Sequence, residues 1–117
     1  MIEHVRPAQL AAWFATAPAG TRPVVLDVRE PWELQTASVR ADGFELLAIP
    51  MGELAGRLAE LDPARQARSP IACLCHHGAR SLRVAAFLAQ QGFGPVANIT
   101  GGIEAWSHES DPAVPRY

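Results

Sequence analysis

Ile71-Ala72-Cys73-Leu74-Cys75-His76-His77-Gly78-Ala79-Arg80-Ser81 changes character at Cys75. The residues up to it form a short apolar run, as expected of a strand buried on both faces. A polar turn follows, and Ser81 to Gln91 reads as a helix with Leu82, Ala85, Ala86 and Ala89 on one side and Gly92 as its stop. Strand, short loop and helix make the unit of a parallel sheet, because a parallel neighbour requires a crossover and a helix supplies it. Similar signals lie on both sides. Val24-Val25-Leu26-Asp27-Val28 is a second apolar, β-branched run, and Pro31 then opens a short helix containing Trp32 and Leu34. Leu46-Leu47-Ala48-Ile49 reads as a strand, and Leu54, Leu58 and Leu61 form the stripe of a helix closed by Asp62-Pro63. Val96-Ala97-Asn98-Ile99 is the last strand, and a first helix runs from Pro7 to about Ala15 with Leu10, Trp13 and Phe14 on one face. The expected fold is α/β: a central parallel sheet of about five strands with helices on both faces and a ligand site beyond the strands' carboxyl ends.

Composition sets the frame. The chain has 117 residues, 49% hydrophobic and 19% charged, with ten Arg, no Lys and a formal net charge of −2. That predicts one domain over residues 1–117 with a tail over 107–117, large enough for a core without staples or structural metal. No apolar stretch approaches a membrane span, and the near-neutral charge argues against a nucleic-acid or anionic-lipid footprint. The start, MIEHVRPAQL, lacks the pattern of a secretory signal, so a cytoplasmic protein is expected. The two cysteines, Cys73 and Cys75, are too close in sequence to staple a fold, which makes cysteine chemistry the question.

A loop wrapped around a helix amino terminus points several backbone N–H groups inward, and with the helix dipole they favour an anion at its centre. Cys75 opens this loop, in a setting that favours its thiolate. Gly78 permits a tight turn, and Arg80 either braces the loop or adds positive charge.

At these residues the chain resembles the rhodanese-like sulfurtransferase family. Leu26-Asp27-Val28-Arg29-Glu30-Pro31-Trp32-Glu33, Ile49-Pro50-Met51-Gly52-Glu53-Leu54 and Gly101-Gly102-Ile103-Glu104-Ala105-Trp106 are similar to further family segments, in the family's order, so the likeness covers about residues 22–106. In one place it departs: Ala37-Ser38-Val39-Arg40-Ala41-Asp42 stands where members commonly carry Gly-His-Ile-Pro-Gly-Ala, so the family histidine is absent and the local loop and rim are affected. The resemblance implies a two-step sulfur transfer, with Cys75 as nucleophile and persulfide carrier and His76, His77, Gly78, Ala79, Arg80 and Ser81 forming the substrate cradle. Its partners would be a small sulfur donor such as thiosulfate, a thiol or cyanide acceptor and a possible sulfur-relay protein; no cofactor or metal is expected. Two alternatives stand beside it, a sulfur-carrying or regulatory binding module and a Cys-dependent phosphatase or arsenate reductase. Four residues separate Cys75 from Arg80, one fewer than in the related phosphatases, and the smaller ring suits sulfur better than a tetrahedral oxyanion.

Blander readings attach to the neighbours. Cys73 is expected to be a core thiol, and Cys73, Cys75, His76 and His77 are packed too closely for four tetrahedral metal ligands. His76 and His77 are read as rim residues that tune donor preference, ahead of a general-base role. Arg29 has two readings, facing the pocket mouth or pairing with Glu30 or Glu33. Asp27 is expected to fix nearby backbone N–H groups, Gly101-Gly102 to make a tight turn with Trp106 packed beneath, and Trp32 to be an ordinary half-buried aromatic ahead of the alternative that it lines a hydrophobic rim. His4, His108 and the segment Ser110 to Tyr117 carry no readable chemistry.

Overall fold

The structure, a computed structural model, describes residues 2–117. Five short parallel strands form one sheet in the order β1-β5-β4-β2-β3: β1 Ile2–Val5, β2 Val24–Asp27, β3 Glu45–Ala48, β4 Ile71–Leu74 and β5 Val96–Ile99. The helices are α1 Leu10–Phe14, α2 Pro31–Thr36, α3 Asp62–Ala67, α4 Ala79–Gln90 and α5 Gly102–Glu109. Every residue of β2, β4 and β5 is buried, which is why these strands are apolar apart from Asp27 and Asn98. Alternation sends Val24, Leu26, Ile71, Cys73 and Val96 to one face, against Leu54, Leu61, Val84 and Leu88. Val25, Ala72, Leu74, Ala97 and Ile99 go to the other, against Leu10, Trp13, Ile103 and Trp106. Fully burying each such aliphatic side chain contributes roughly 1.5–3 kcal/mol, so the two layers hold the sheet from both sides.

The α/β expectation is met, and three elements differ from the sequence reading. The fifth strand is Ile2–Val5, at the sheet edge beside β5, where Glu3 and His4 are exposed and hide the strand pattern. Asp62-Pro63 opens α3 instead of closing a helix. The preceding stretch consists of 3-10 turns, Met51–Glu53 and Ala55–Leu61, interrupted at Arg57, and Pro63 suits the first turn of α3. The buried side of α4 is Ser81, Val84, Ala85 and Leu88, and Leu82 faces outward at 39% exposure. The helix starts at Ala79, so its inward face is set by Ser81 at the site.

The connection after β2 leads to the β3 edge and the one after β4 leads toward β5, so the chain diverges between these neighbouring strands. Their carboxyl ends form the crevice where open parallel sheets place ligands. Among the described residues no helix is long and apolar enough to cross a membrane.

Candidate active site

Cys75 follows β4 directly and is 1% exposed. The loop turns at Gly78, the residue before α4, whose φ of +113° few other residues adopt and whose N–H donates to Cys75 Sγ at 3.0 Å. The Ser81 hydroxyl lies 3.3 Å from Sγ and 2.5 Å from Asn98 Oδ1. With one proton it donates to one of these at a time, so Asn98 and the sulfur compete for it. The loop is held from behind by the start of α5: Ile103 N–H donates to the Cys75 carbonyl at 2.9 Å and Glu104 N–H to the His76 carbonyl at 3.2 Å. Gly102 makes that approach possible, since a Cβ there would lie 2.4 Å from the His76 carbonyl oxygen and 2.5 Å from that of Cys75. The tight turn expected at Gly101-Gly102 is present, and Trp106 packs as core in α5.

Arg80 points sideways to Glu33, its two terminal nitrogens donating at 2.7 and 2.8 Å to the two carboxylate oxygens. Glu33 is 3% exposed and also accepts the Glu30 N–H at 2.8 Å. Hydrogen bonds from Arg80 outweigh burial and hold the Glu33 carboxyl down at about 2. Of the two readings of Arg80, the geometry is that of a brace, tying α4 to α2.

Tyr117 extends this network. Its hydroxyl donates to Glu33 Oε1 at 3.0 Å and accepts from Arg29 Nη1 at 3.1 Å. Arg29 is fully buried and donates to Asp27 through Nε at 2.9 Å and Nη2 at 2.7 Å. Neither reading of Arg29 describes this, because its side chain pairs with Asp27 inside the fold and not with Glu30, the Glu33 carboxylate or the mouth. Asp27 does accept a backbone N–H, that of Arg29 at 3.1 Å, as expected. The His76 ring is sandwiched, 3.9 Å from His77 on one side and 3.8 Å from Tyr117 on the other. Burial chiefly, with His77 adding to it, lowers the His76 pKa below its ordinary 6.5. His76 Nε2 is buried without a hydrogen-bond partner.

Cys73 is 0% exposed, and burial raises its thiol pKa, as a core thiol requires. Trp32 is 62% exposed, not half-buried, and stands edge-on to Tyr117 with ring centroids 6.1 Å apart. Three residues of this region were not read as site residues in the sequence: Glu33, Asn98 and Tyr117. Asn98 carried a signal, because an amide in a fully buried strand needs a partner. Glu33 sits within a capping box, which gave it a sufficient local explanation. Tyr117 had none, and the segment set aside as unreadable supplies part of the site wall. A cleft of about 480 Å³ lies elsewhere, lined by residues including Phe14, Arg40, Asp42, Phe44 and Trp106 and by none of the loop residues. The segment lacking the family histidine therefore shapes that cleft through Arg40, Ala41 and Asp42.

Cys75 thus opens a loop that joins β4 to α4 at the carboxyl end of a parallel sheet. The rhodanese-like domain model matches residues 10–109, and the chain belongs to that family. It is 38% identical over 93 residues to a Rhodanese-like/PpiC domain-containing protein, number 12, of Arabidopsis thaliana, covering 80% of this chain and 30% of that one. It is 35% identical over 97 residues to a protein of Allochromatium vinosum named sulfurtransferase, covering 82% of this chain and 83% of the relative. Among solved structures, a rhodanese-related protein from Thermoplasma volcanium superimposes with a TM-score of 0.74 at 30% identity, over 98% of this chain and 99% of the other.

Proposed function

We propose that the protein is a sulfurtransferase that carries a sulfane sulfur on Cys75. The observation that supports it best is Sγ at the start of the loop, beneath a helix amino terminus, with the Gly78 N–H and the Ser81 hydroxyl directed at it. In the first step the Cys75 thiolate bonds to the sulfane sulfur, and the donor's bond to that sulfur breaks, its electron pair leaving with the donor remnant. Thiosulfate would leave as sulfite. In the second step cyanide or a thiolate takes the outer sulfur, and the electron pair of the S–S bond returns to Cys75 as thiolate. Covalent capture splits one transfer into two easier ones, and the outer sulfur of a persulfide is an anion that amide donors and a helix amino terminus stabilise. His76 to Ser81 form the cradle in this reading, with Arg80 as positioning residue and the His76 and His77 rings at the rim. The A. vinosum relative's name accords with it.

The test is intact-mass measurement of reduced protein after incubation with a sulfane donor. One added sulfur on Cys75, removed by cyanide, is the expected result. No added sulfur on a folded protein, together with hydrolysis of an aryl phosphate, would replace this reading with a phosphatase. Sulfur accepted only from a partner protein's persulfide would mark a carrier module.

A further inference from the structure

We propose that the preferred donor to Cys75 is an organic persulfide of low charge with an apolar body, rather than an inorganic dianion such as thiosulfate. This rests on the sulfur-transfer reading and narrows it.

Charge is the first consideration. With an organic persulfide whose outer sulfur is an anion, R–S–S⁻, the Cys75 thiolate bonds to that sulfur, the S–S bond breaks, R–S⁻ leaves with the electron pair and Cys75–S–S⁻ remains. Two negative charges are then present throughout, and only one when the donor enters as neutral R–S–SH and leaves Cys75–S–SH. With thiosulfate, three negative charges meet: the thiolate and a dianion become Cys75–S–S⁻ and sulfite. Bringing three like charges together in a partly desolvated mouth calls for unpaired cations. Arg80 is held bidentate at 2.7 and 2.8 Å by a Glu33 side chain that is 4% exposed, so the pair is nearly neutral. Arg29 is buried against Asp27. Arg116, near α5, is paired with Glu104, itself a carboxylate whose field reaches His76. Arg83, one turn into α4, lines a separate groove with Met51, Leu54 and Phe87. Burial holds the His76 imidazole toward its neutral form. The donors directed at Sγ, the Gly78 N–H and the Ser81 hydroxyl, are uncharged dipoles.

Shape is the second, and it is independent of charge. Trp32 at 62% and Leu82 at 39% are the exposed large hydrophobic side chains among the described residues. Trp32 precedes Glu33, whose carboxylate holds Arg80, and of these two side chains only that of Trp32 is tied to the loop by contacts. Trp32 continues into the stack of Tyr117, His76 and His77, giving the loop an aromatic flank. Such a flank gains nothing from sulfite and gains contact area from a hydrocarbon group.

The experiment loads the full chain in single turnovers with benzyl hydropersulfide or with thiosulfate, reads sulfur on Cys75 by intact mass, and divides each rate by that of N-acetylcysteine with the same donor. The normalised benzyl rate should exceed the thiosulfate rate by at least about tenfold. Trp32→Ala, at an exposed position, should cut that ratio several-fold by slowing the benzyl reaction. Glu33→Gln should cut it by freeing the Arg80 charge and speeding the thiosulfate reaction. A wild-type ratio of one or below overturns the donor class, as does a ratio that neither substitution moves. If neither donor leaves sulfur on Cys75, the sulfur-transfer reading itself fails, an outcome distinct from loading by thiosulfate alone.

Discussion

Two thiols two residues apart in one strand end have opposite surroundings. Cys73 points into the core with Leu26 and Val84, where burial raises its thiol pKa and keeps it protonated. Cys75 lies just past the strand, within reach of the Gly78 N–H at 3.0 Å and the Ser81 hydroxyl at 3.3 Å. Cys75→Ser should therefore abolish sulfur loading, since an alcohol neither ionises near neutral pH nor holds a persulfide, and Cys73→Ser should keep most of it at some cost in stability. Loading rates of both variants, after circular dichroism establishes folding, check this; a folded, silent Cys73→Ser protein would contradict a single working cysteine. The cysteine and its loop were legible because an apolar strand running into Cys75-His76-His77-Gly78 is a local pattern. The residues that hold them were not. Asn98, Glu33 and Tyr117 reach the loop from other parts of the chain, and no local spacing encodes a contact across 47 or 84 positions.

The loop is positioned by two helices, one clasping it from the side and one from behind. From the side, the Arg80–Glu33 pair joins α4 to α2, and its strength is readable in acid. Glu33 is held at about 2 in the fold against an ordinary 4.5, so below 4.5 the unfolded chain takes up this proton while the folded one resists it. Stability from the pair is complete above about pH 5 and is lost as pH falls from 4.5 toward 2, amounting to about 3 kcal/mol in full. Urea unfolding of wild type and Glu33→Gln should differ by about that amount at pH 7 and converge near pH 2; a difference independent of pH would mean that packing, not the charge pair, is being measured. From behind, α5 approaches so closely at Gly102 that its added Cβ would lie 2.4 Å from the His76 carbonyl oxygen, at a φ of +59°. Gly102→Ala should cost at least about 2 kcal/mol and slow sulfur loading disproportionately, because relief of the clash must move the loop carbonyls that α5 holds. Loss of stability with an unchanged loading rate per folded molecule would separate α5 from the geometry of the loop.

Across the whole molecule, the sheet was readable where strands are buried on both faces and obscure where they are not. β2, β4 and β5 are wholly buried, whereas β1 at the edge exposes Glu3 and His4, so its pairing with β5 leaves little trace in composition. The stretch before α3 misled for a related reason: Leu54 and Leu61 are buried as an apolar stripe predicts, but 3-10 turns present them nearly as well as a continuous helix would. The segment after α5 shows the same limit at the site, for Tyr117 joins Arg29, Glu33 and His76. Its ring covers one face of His76 at 3.8 Å, at an imidazole whose pKa burial chiefly lowers. A histidine whose folded value lies below 6.5 costs stability as pH drops under 6.5, because the unfolded chain then binds the proton first. Tyr117→Ala should uncover the ring, move the His76 titration followed by NMR upward toward 6.5, and flatten this part of the dependence of stability on pH. Tyr117→Phe keeps the stack and removes the hydroxyl that Glu33 and Arg29 share, so it should leave the His76 titration nearly in place while lowering stability by about 1 kcal/mol. A His76 titration that moves equally in both variants would assign the effect to the hydroxyl network, and one that moves in neither would remove Tyr117 from the wall of the site.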